Sequence, residues 1–199
     1  KLDKRIASDQ IFDSLQRGVG VLTEEDQLLA YLSGFGKMHE AKMLSALSKV
    51  DDLNILNNIE VYDWGCGQAL ASTCFLEYLD DLDFQGNINT ITLVEPSEIA
   101  IKRGALYVNK FKPHSNLITI NKDLDSLIAT DFNSKQINSK VHLFSNILDV
   151  ELFSMPDFIN SKNFSIVFIS NVSNIFFNKS SVFSNFFEFL ISSICFFNF

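Results

Sequence analysis

Cysteine and basic residues are scarce in this sequence, and each shortage excludes a class of protein. The three cysteines, Cys66, Cys74 and Cys195, form no CxxC pair and belong to no Cys/His cluster with zinc spacing. This count argues against a disulfide framework and against a metal site, and it fits a reducing, cytoplasmic location. Sixteen lysines and arginines against 24 acidic residues give a net charge of −8, so a strongly basic nucleic-acid-binding surface is not expected.

Long apolar runs are also missing. The longest uncharged stretch lies between Lys162 and Lys179 and is interrupted by asparagines and serines, whereas a membrane-spanning helix needs about 20 predominantly apolar residues. We therefore expect no transmembrane helix, no signal peptide and no membrane partner. With 199 residues, of which 47% are apolar, the chain is long enough for one domain with a substantial core.

The last quarter of the chain differs in composition from the rest. Thirteen of the 20 phenylalanines lie in residues 151–199, where charged residues are few. We divide the chain into an N-terminal helical segment over residues 1–54, a core over 55–175 and a Phe/Asn/Ser-rich tail over 176–199. The chain begins at Lys1 and ends at Phe199, which indicates a fragment of a longer protein. The sequence leaves the oligomeric state open.

The spacing of apolar residues predicts an α/β fold. It predicts helices over residues 24–49, broken near Gly34 and Gly36 and capped by Thr23, and over 68–79, 97–109 and 181–197. Nearly continuous apolar runs predict strands over residues 59–63, 89–95, 116–121, 141–146 and 164–170. The alternation is typical of a doubly wound, mostly parallel sheet with helices on both faces. The binding crevice of such a sheet lies beyond the carboxyl ends of its strands.

A glycine turn follows the first predicted strand, in the stretch Asp63-Trp64-Gly65-Cys66-Gly67-Gln68-Ala69. The two glycines permit a tight turn and a close approach to a ligand, and the helix that follows begins with unpaired N–H groups. The dinucleotide fingerprint GxGxxG would need a third glycine where this chain has Leu70, and Asp63 would repel a pyrophosphate. The turn therefore favours a ligand with a cationic group over NAD. Asp63 could instead cap the following helix.

The pattern Asp63-x-Gly65-x-Gly67-x-Ala69 resembles motif I of the class I S-adenosylmethionine (SAM)-dependent methyltransferases, with alanine in place of the usual third glycine. Glu95, directly before Pro96, resembles the acidic residue of motif II, which binds both ribose hydroxyls, although it could also be solvated at a helix entrance. The resemblance implies a Rossmann-like SAM-binding core with a helical N-terminal lid. We expect the family's final antiparallel hairpin to be missing, since no room remains for it after residue 197.

Two further loops complete the cofactor site that the resemblance implies. Asp123 and Leu124 resemble the loop that binds adenine, with Asp125 as a competitor, and Ser145 and Asn146 correspond by position to motif IV. The implied cofactor-binding residues are Asp63, Gly65, Cys66, Gly67, Gln68, Glu95, Pro96, Asp123, Leu124, Ser145 and Asn146.

The methyl acceptor is less clearly indicated. Residues 145–148 lack the Asn/Asp-Pro-Pro-aromatic motif of enzymes that methylate exocyclic amines, and no cysteine is placed to attack cytosine C5. Tyr31, Phe35 and His39 could form the lid, and His39 is a candidate general base or a surface histidine. We expect a SAM-dependent methyltransferase acting on a small molecule or a protein. The alternative is a non-catalytic SAM-binding module of a larger protein; an RNA methyltransferase and an NAD-dependent oxidoreductase are less favoured.

Overall fold

The computed structural model describes residues 9–18, 20–48, 57–132, 139–145, 147, 166–170 and 175–179. The helices are α1 (Asp9–Ser14), α2 (Glu25–Tyr31), α3 (Lys37–Leu47), α4 (Leu70–Asp81) and α5 (Glu98–Phe111). The strands are β1 (Asn58–Trp64), β2 (Asn87–Val94), β3 (Asn116–Ile120), β4 (Ser139–Ser145), β5 (Ile166–Ser170) and β6 (Ile175–Lys179). The helix expected over residues 181–197 lies outside this part of the chain.

The six strands form one sheet in the order β3-β2-β1-β4-β5-β6. Strands β1 to β5 run parallel, which confirms the predicted mostly parallel α/β sheet. The chain order reverses between β1 and β4, so the crevice of this Rossmann-like sheet is expected beyond the carboxyl ends of these two strands.

Strand β6 was not predicted, and it corrects the expectation of a missing antiparallel hairpin. It pairs antiparallel with β5, with Ile166 opposite Lys179 and Ser170 opposite Ile175. The physical reason is that two short apolar runs separated by four residues can satisfy each other's backbone groups at the edge of the sheet. Residues 176–179, assigned above to the tail, therefore belong to the sheet.

One face of the sheet carries the main hydrophobic core. Successive strand residues point to opposite faces, and Ile59, Val61, Leu93 and Leu143 all point to the face that α3, α4 and α5 cover. The helical residues that pack there are Met43, Leu47, Ala71, Cys74, Phe75, Leu76, Leu79, Ile101 and Val108. None of the helices in the described ranges is long and apolar enough to cross a membrane.

The opposite face carries stacked aromatic and polar side chains. Tyr62, Trp64 and His142 stack with ring planes within 13° of parallel. The indole N–H of Trp64 donates to His142 Nδ1 at 3.1 Å, and the Tyr62 hydroxyl donates to Glu60 at 3.1 Å. All four residues are buried, and burial lowers the pKa of His142 well below its ordinary value. Hydrogen bonding within the stack lets these polar groups leave water.

The N-terminal helices differ from the prediction in two respects. Helix α2 is capped at Glu24 rather than at Thr23, because the Gln27 side chain accepts the N–H groups of both residues, at 2.8 and 3.1 Å. A π-helical turn, Leu32–Gly36, contains both glycines and separates α2 from α3, so the predicted division is present as a change of helix type and not as a gap between helices. Gly34 also serves packing, since a Cβ there would lie 2.6 Å from the ring of Phe12.

Candidate functional site

A cavity of about 300 Å³ lies at the carboxyl ends of β1, β2 and β4. Its wall is formed by Gly18, Gly20, Val21, Leu22, Tyr31, Gly65, Gly67, Gln68, Glu95, Pro96, Ala100, Asp123, Leu124, Asp125, Ser145 and Ile147. The structure thus brings most of the predicted cofactor residues together around one space. Asn146 lies outside the described residues.

In the glycine turn after β1, every second residue, beginning with Gly65, lies in the left-handed backbone region. Gly65 has φ +61° and Gly67 has φ +52°. A Cβ on Gly65 would meet the Ile147 side chain at 2.6 Å, whereas a Cβ on Gly67 would have no atom within 4 Å. Gly67 therefore exposes its backbone to the cavity, and a ligand there can approach more closely than a side chain would allow.

Ala69, the last residue of the glycine turn, adopts a backbone conformation that favours glycine. Its φ of +59° lies in the region that residues with a Cβ avoid, at a cost of about 1–2 kcal/mol. Its methyl group is fully buried against α5, where a Cβ on Gly104 would lie 2.9 Å away. The turn thus holds a residue with a Cβ in the left-handed region, and the methyl group fills the contact between the turn and α5.

Glu95 is the carboxylate that β2 delivers to the cavity. Its Oε2 accepts the Gly67 N–H at 2.9 Å, and its Oε1 accepts the Ser97 N–H at 2.9 Å. Burial raises the pKa of Glu95, and these two hydrogen bonds oppose that rise. Because a carboxylate offers about four lone-pair sites, each oxygen can still accept a donor from a ligand.

Asp63 lies beneath the turn and does not line the cavity. It is fully buried, and its Oδ2 accepts the Ser72 N–H at 3.1 Å and the Ser72 hydroxyl at 2.7 Å. Its Oδ1 has no hydrogen-bond partner among the described residues. Burial raises the pKa of Asp63 to about 7, against the lowering effect of Ser72. The carboxyl group thus caps α4 from β1, as the alternative interpretation of the sequence allowed.

Cys66, the residue between the two glycines, is also turned away from the cavity. Its thiol is 3.5 Å from the carbonyl oxygen of Gly67, and burial raises its pKa well above the ordinary value. A buried neutral thiol is a poor nucleophile.

The loop after β3 brings two carboxylates to the wall. Asp123 caps a short 3₁₀ turn, Leu124–Ser126, and accepts the Ser126 N–H at 2.8 Å. Hydrogen bonds from Ser126 lower the pKa of Asp123, which is exposed. Asp125 lines the cavity beside it, so both candidates for the adenine-binding acid are present at the wall.

Of the three predicted lid residues, Tyr31 alone lines the cavity. Phe35 and His39 pack behind it, with ring centroids 5.3 Å and 5.7 Å from that of Tyr31. The Tyr31 hydroxyl lies 3.4 Å from His39 Nδ1. His39 is therefore separated from the cavity by the tyrosine ring.

The sequence did not predict that Gly18 and residues 20–22, which we call the strap, form one side of the cavity. The Ser97 hydroxyl donates to the carbonyl oxygen of Leu22. Nearby, the Gln68 side chain donates to the carbonyl oxygen of Leu28 in α2, at 2.9 Å. The only sequence signal was a pair of glycines, Gly18 and Gly20, shortly before a helix. Ala100 and Ile147 complete the wall and were also missed.

Within the described ranges, no group of three or more His, Cys, Asp or Glu side chains is suited to hold a metal ion.

No protein-family model and no curated protein matches the sequence. Solved structures of several class I SAM-dependent methyltransferases do match it. A protein from Pyrococcus horikoshii described as an RNA methyltransferase is 16% identical over 67% of this chain and 59% of its own, with a TM-score of 0.42. A SAM-dependent methyltransferase from Leishmania major is 10% identical over 84% of this chain and 64% of its own, with a TM-score of 0.43.

A protein from Plasmodium falciparum described as a protein-L-isoaspartate O-methyltransferase, solved with S-adenosyl-L-homocysteine, is 11% identical. The match covers 87% of this chain and 89% of that protein, with a TM-score of 0.41. This chain spans about three fifths of the length of the Pyrococcus and Leishmania structures. The fold assignment itself rests on the strand order of this chain's own sheet.

Proposed function

We propose that this chain binds SAM in the cavity at the carboxyl ends of β1, β2 and β4, and that it transfers the methyl group to a small molecule or a protein. The proposal rests on the hydrogen bond that the Gly67 N–H donates to the Glu95 carboxylate. A buried carboxylate at the end of β2 is fixed by the backbone of the glycine turn and retains lone pairs for two further donors. Paired hydroxyl groups on a ribose supply such donors.

The cavity fits a ligand of this class. Its volume of about 300 Å³ is at the lower end of the range for small-molecule sites, about 300–1,000 Å³. The open face of Gly67 accepts close backbone contact, and Pro96, Ala100 and Leu124 supply apolar surface for a purine ring. Asp123 is placed to accept from an exocyclic amine beside Leu124.

Catalysis in this site would depend on positioning and desolvation. SAM supplies a methyl group on a sulfonium, which an acceptor nucleophile displaces. Glu95 would fix the orientation of the ribose, the glycine turn would permit close approach, and the strap would exclude water from one side. No step requires a cysteine nucleophile, in keeping with the buried thiol of Cys66.

The charge of the wall supports a small-molecule or protein acceptor over RNA. Three carboxylates, Glu95, Asp123 and Asp125, line the cavity, and neither lysine nor arginine does so among the residues that the structure describes. Such a wall would repel a phosphate backbone.

A second candidate function is a SAM-binding module without turnover. It is favoured by the position of His39, which lies behind Tyr31 rather than on the wall. Transfer of radiolabelled methyl groups from SAM into a whole-cell extract, sorted by protease and nuclease sensitivity, distinguishes the two candidates. We expect label in protease-sensitive or small-molecule material.

Calorimetry with SAM, S-adenosylhomocysteine and NAD tests the ligand class. Glu95→Gln should weaken SAM binding about tenfold or more, since a hydrogen bond to a charged group contributes about 1.5–3 kcal/mol. Glu98→Gln is the matched control, because Glu98 is exposed and pairs with Lys102 on the surface. Folded protein that binds NAD but not SAM would refute the proposal, as would equal losses in the two variants.

A further inference from the structure

Asp63 is a buried carboxyl group to which the proposed methyl transfer gives no role, and it lies close beneath the wall of the cavity. It stands two residues before Gly65, which lines the cavity, so the two Cα atoms lie within about 7.6 Å of each other, two steps of about 3.8 Å. The carboxyl group is fully buried and is not part of the wall. Asp63 can therefore act on a ligand through its charge but not through contact.

The surroundings of Asp63 leave its charge without a counterion. On α4, Ser72 donates its N–H and its hydroxyl to Oδ2, while Oδ1 has no hydrogen-bond partner among the described residues. The neighbours of Asp63 in the sheet are the apolar residues Leu93 and Leu143. No lysine or arginine in the described ranges is paired with Asp63. A cation bound nearby would therefore stabilise the ionised form.

The charge of Asp63 reaches the cavity. Burial raises the pKa of Asp63 to about 7; hydrogen bonds from Ser72 oppose the rise, and the charge of Glu95, which lines the cavity, adds to it. The other titratable groups that face Asp63 are the thiols of Cys66 in the glycine turn and Cys74 in α4. Burial raises the pKa of both thiols, and nearby carboxylates, Asp63 among them, add to the rise. Because Coulombic interactions are mutual, a cation beside Glu95 is attracted by an ionised Asp63.

The two forms of the proposed cofactor differ by one charge at this place. SAM carries a sulfonium on the carbon attached to the ribose ring, where S-adenosylhomocysteine carries a neutral thioether, and the two are otherwise alike. With the ribose at Glu95, this sulfur lies in the part of the cavity that the charge of Asp63 reaches. Unit charges about 10 Å apart, at an effective dielectric constant of about 20, attract strongly enough to change an affinity about tenfold.

We propose that Asp63 sets, through its protonation state, how strongly the site prefers SAM over S-adenosylhomocysteine. The ionised carboxylate favours the sulfonium, and the protonated group does not. The inference rests on the proposed function and adds a regulatory element to the same site. Since the folded protein holds this proton up to about neutral pH, the preference for SAM should rise with pH, and the reaction product should compete most strongly in acid.

Calorimetry on the full chain at about pH 5.5 and about pH 8.5 measures this preference as the ratio of the two dissociation constants. The ratio cancels every effect of pH that the two ligands share, including ionisation of their common amino and carboxyl groups. In wild type the preference for SAM should rise about tenfold between the two pH values. In Asp63→Asn it should change by less than about twofold. Asp81→Asn, at the exposed end of α4, should keep the wild-type rise.

Ser72→Ala attributes the effect to Asp63 without changing a charge. Because the Ser72 hydroxyl stabilises the ionised form, its loss should raise the pKa of Asp63 and move the midpoint of the rise in preference to higher pH. The matched control is Thr73→Ala, which removes the next hydroxyl along α4. That hydroxyl donates to the carbonyl oxygen of Leu70, so its loss should leave the midpoint unchanged. Glu95, whose pKa burial also raises, is not bonded to Ser72, so the shift distinguishes Asp63 from Glu95.

Three results would overturn the inference. One is wild type whose preference is the same at both pH values, another is a rise of wild-type size in folded Asp63→Asn, and the third is a midpoint in Ser72→Ala that stays at the wild-type pH. The third decides the question even if Asp63→Asn does not fold. In each case binding of both ligands leaves the proposed function standing, whereas folded wild type that binds neither refutes the proposed function and the inference with it.

Discussion

Ionisation of Asp63 should make the protein less stable as the pH rises towards and through neutrality. The carboxyl group is fully buried, and burial raises its pKa from 3.8 to about 7. The folded protein therefore holds this proton more tightly than the unfolded chain does. The resulting stabilisation is complete below pH 3.8 and is lost as the pH rises to about 7.

The size of the effect follows from the same two pKa values. Over the full shift it amounts to about 4 kcal/mol, at about 1.4 kcal/mol per pH unit. A practical range runs from about pH 5.5 to about pH 8.5, above the isoelectric point of about 4.8. In that range Asp63 loses its proton in the folded state alone, so the free energy of unfolding should fall by about 2 kcal/mol through this group.

The variant Asp63→Asn isolates this contribution, because asparagine can still accept from Ser72 and does not ionise. Urea unfolding can be followed by the fluorescence of Trp64, the single tryptophan, which is 1% exposed. The stability of Asp63→Asn relative to wild type should grow by about 2 kcal/mol between about pH 5.5 and 8.5. Asp81→Asn, at the exposed end of α4, controls for the loss of one charge and should show no such growth. A difference that stays constant with pH, or shrinks as the pH rises, would show that Asp63 does not hold its proton more tightly in the folded protein.

Three further results are expected. Ser72→Ala removes a hydrogen bond to the charged form of Asp63, so it should lower the free energy of unfolding by about 1.5–3 kcal/mol at alkaline pH and by less in acid. Urea unfolding at an acidic and an alkaline pH measures this difference, and an equal loss at both would contradict it. Gly104→Ala should lower the free energy of unfolding by about 1–3 kcal/mol and weaken SAM binding, since the new Cβ would lie 2.9 to 3.1 Å from Ala69 and the glycine-turn backbone. Leu106→Ala, 70% exposed on the same helix, is its control in thermal unfolding and calorimetry. Burial raises the pKa of the Cys66 thiol and raises that of Cys74 to about 12, so iodoacetamide at about pH 8 should modify both far more slowly in the folded protein than in urea, as peptide mass spectrometry would show.

The sheet and the position of its binding edge could be predicted from local patterns. Apolar runs located the ends of β1 to β5 to within about two residues. Because parallel strands share a direction, the turn after β1 and the loops after β2 and β3 lie at the same edge of the sheet. Gly65, Gly67, Glu95 and Asp123 therefore lie at one cavity as predicted. The positions of these residues depend on chain order and strand direction, both of which can be inferred from the sequence.

The residues that the sequence misplaced depend on contacts between distant elements. Asp63 turns inward because Ser72, nine residues later, presents a hydroxyl and an N–H group to it. The sequence named Tyr31, Phe35 and His39 as lid residues, but the packing of the π-helical turn decides which of the three rings faces the cavity. The strap is short and has no periodic pattern, so its position depends on the two donors that hold the N-terminal segment.

The way in which the N-terminal segment is attached has a consequence for how such a protein can change during evolution. Ser97 and Gln68, which follow β2 and β1 at the carboxyl edge of the sheet, donate to main-chain oxygens of Leu22 and Leu28, not to their side chains. Every amino acid carries that oxygen, so these two hydrogen bonds do not depend on the identity of the side chains at positions 22 and 28. Val21 is 54% exposed and lines the cavity, so its side chain can be exchanged, and the chemistry of that side of the cavity altered, without loss of either hydrogen bond.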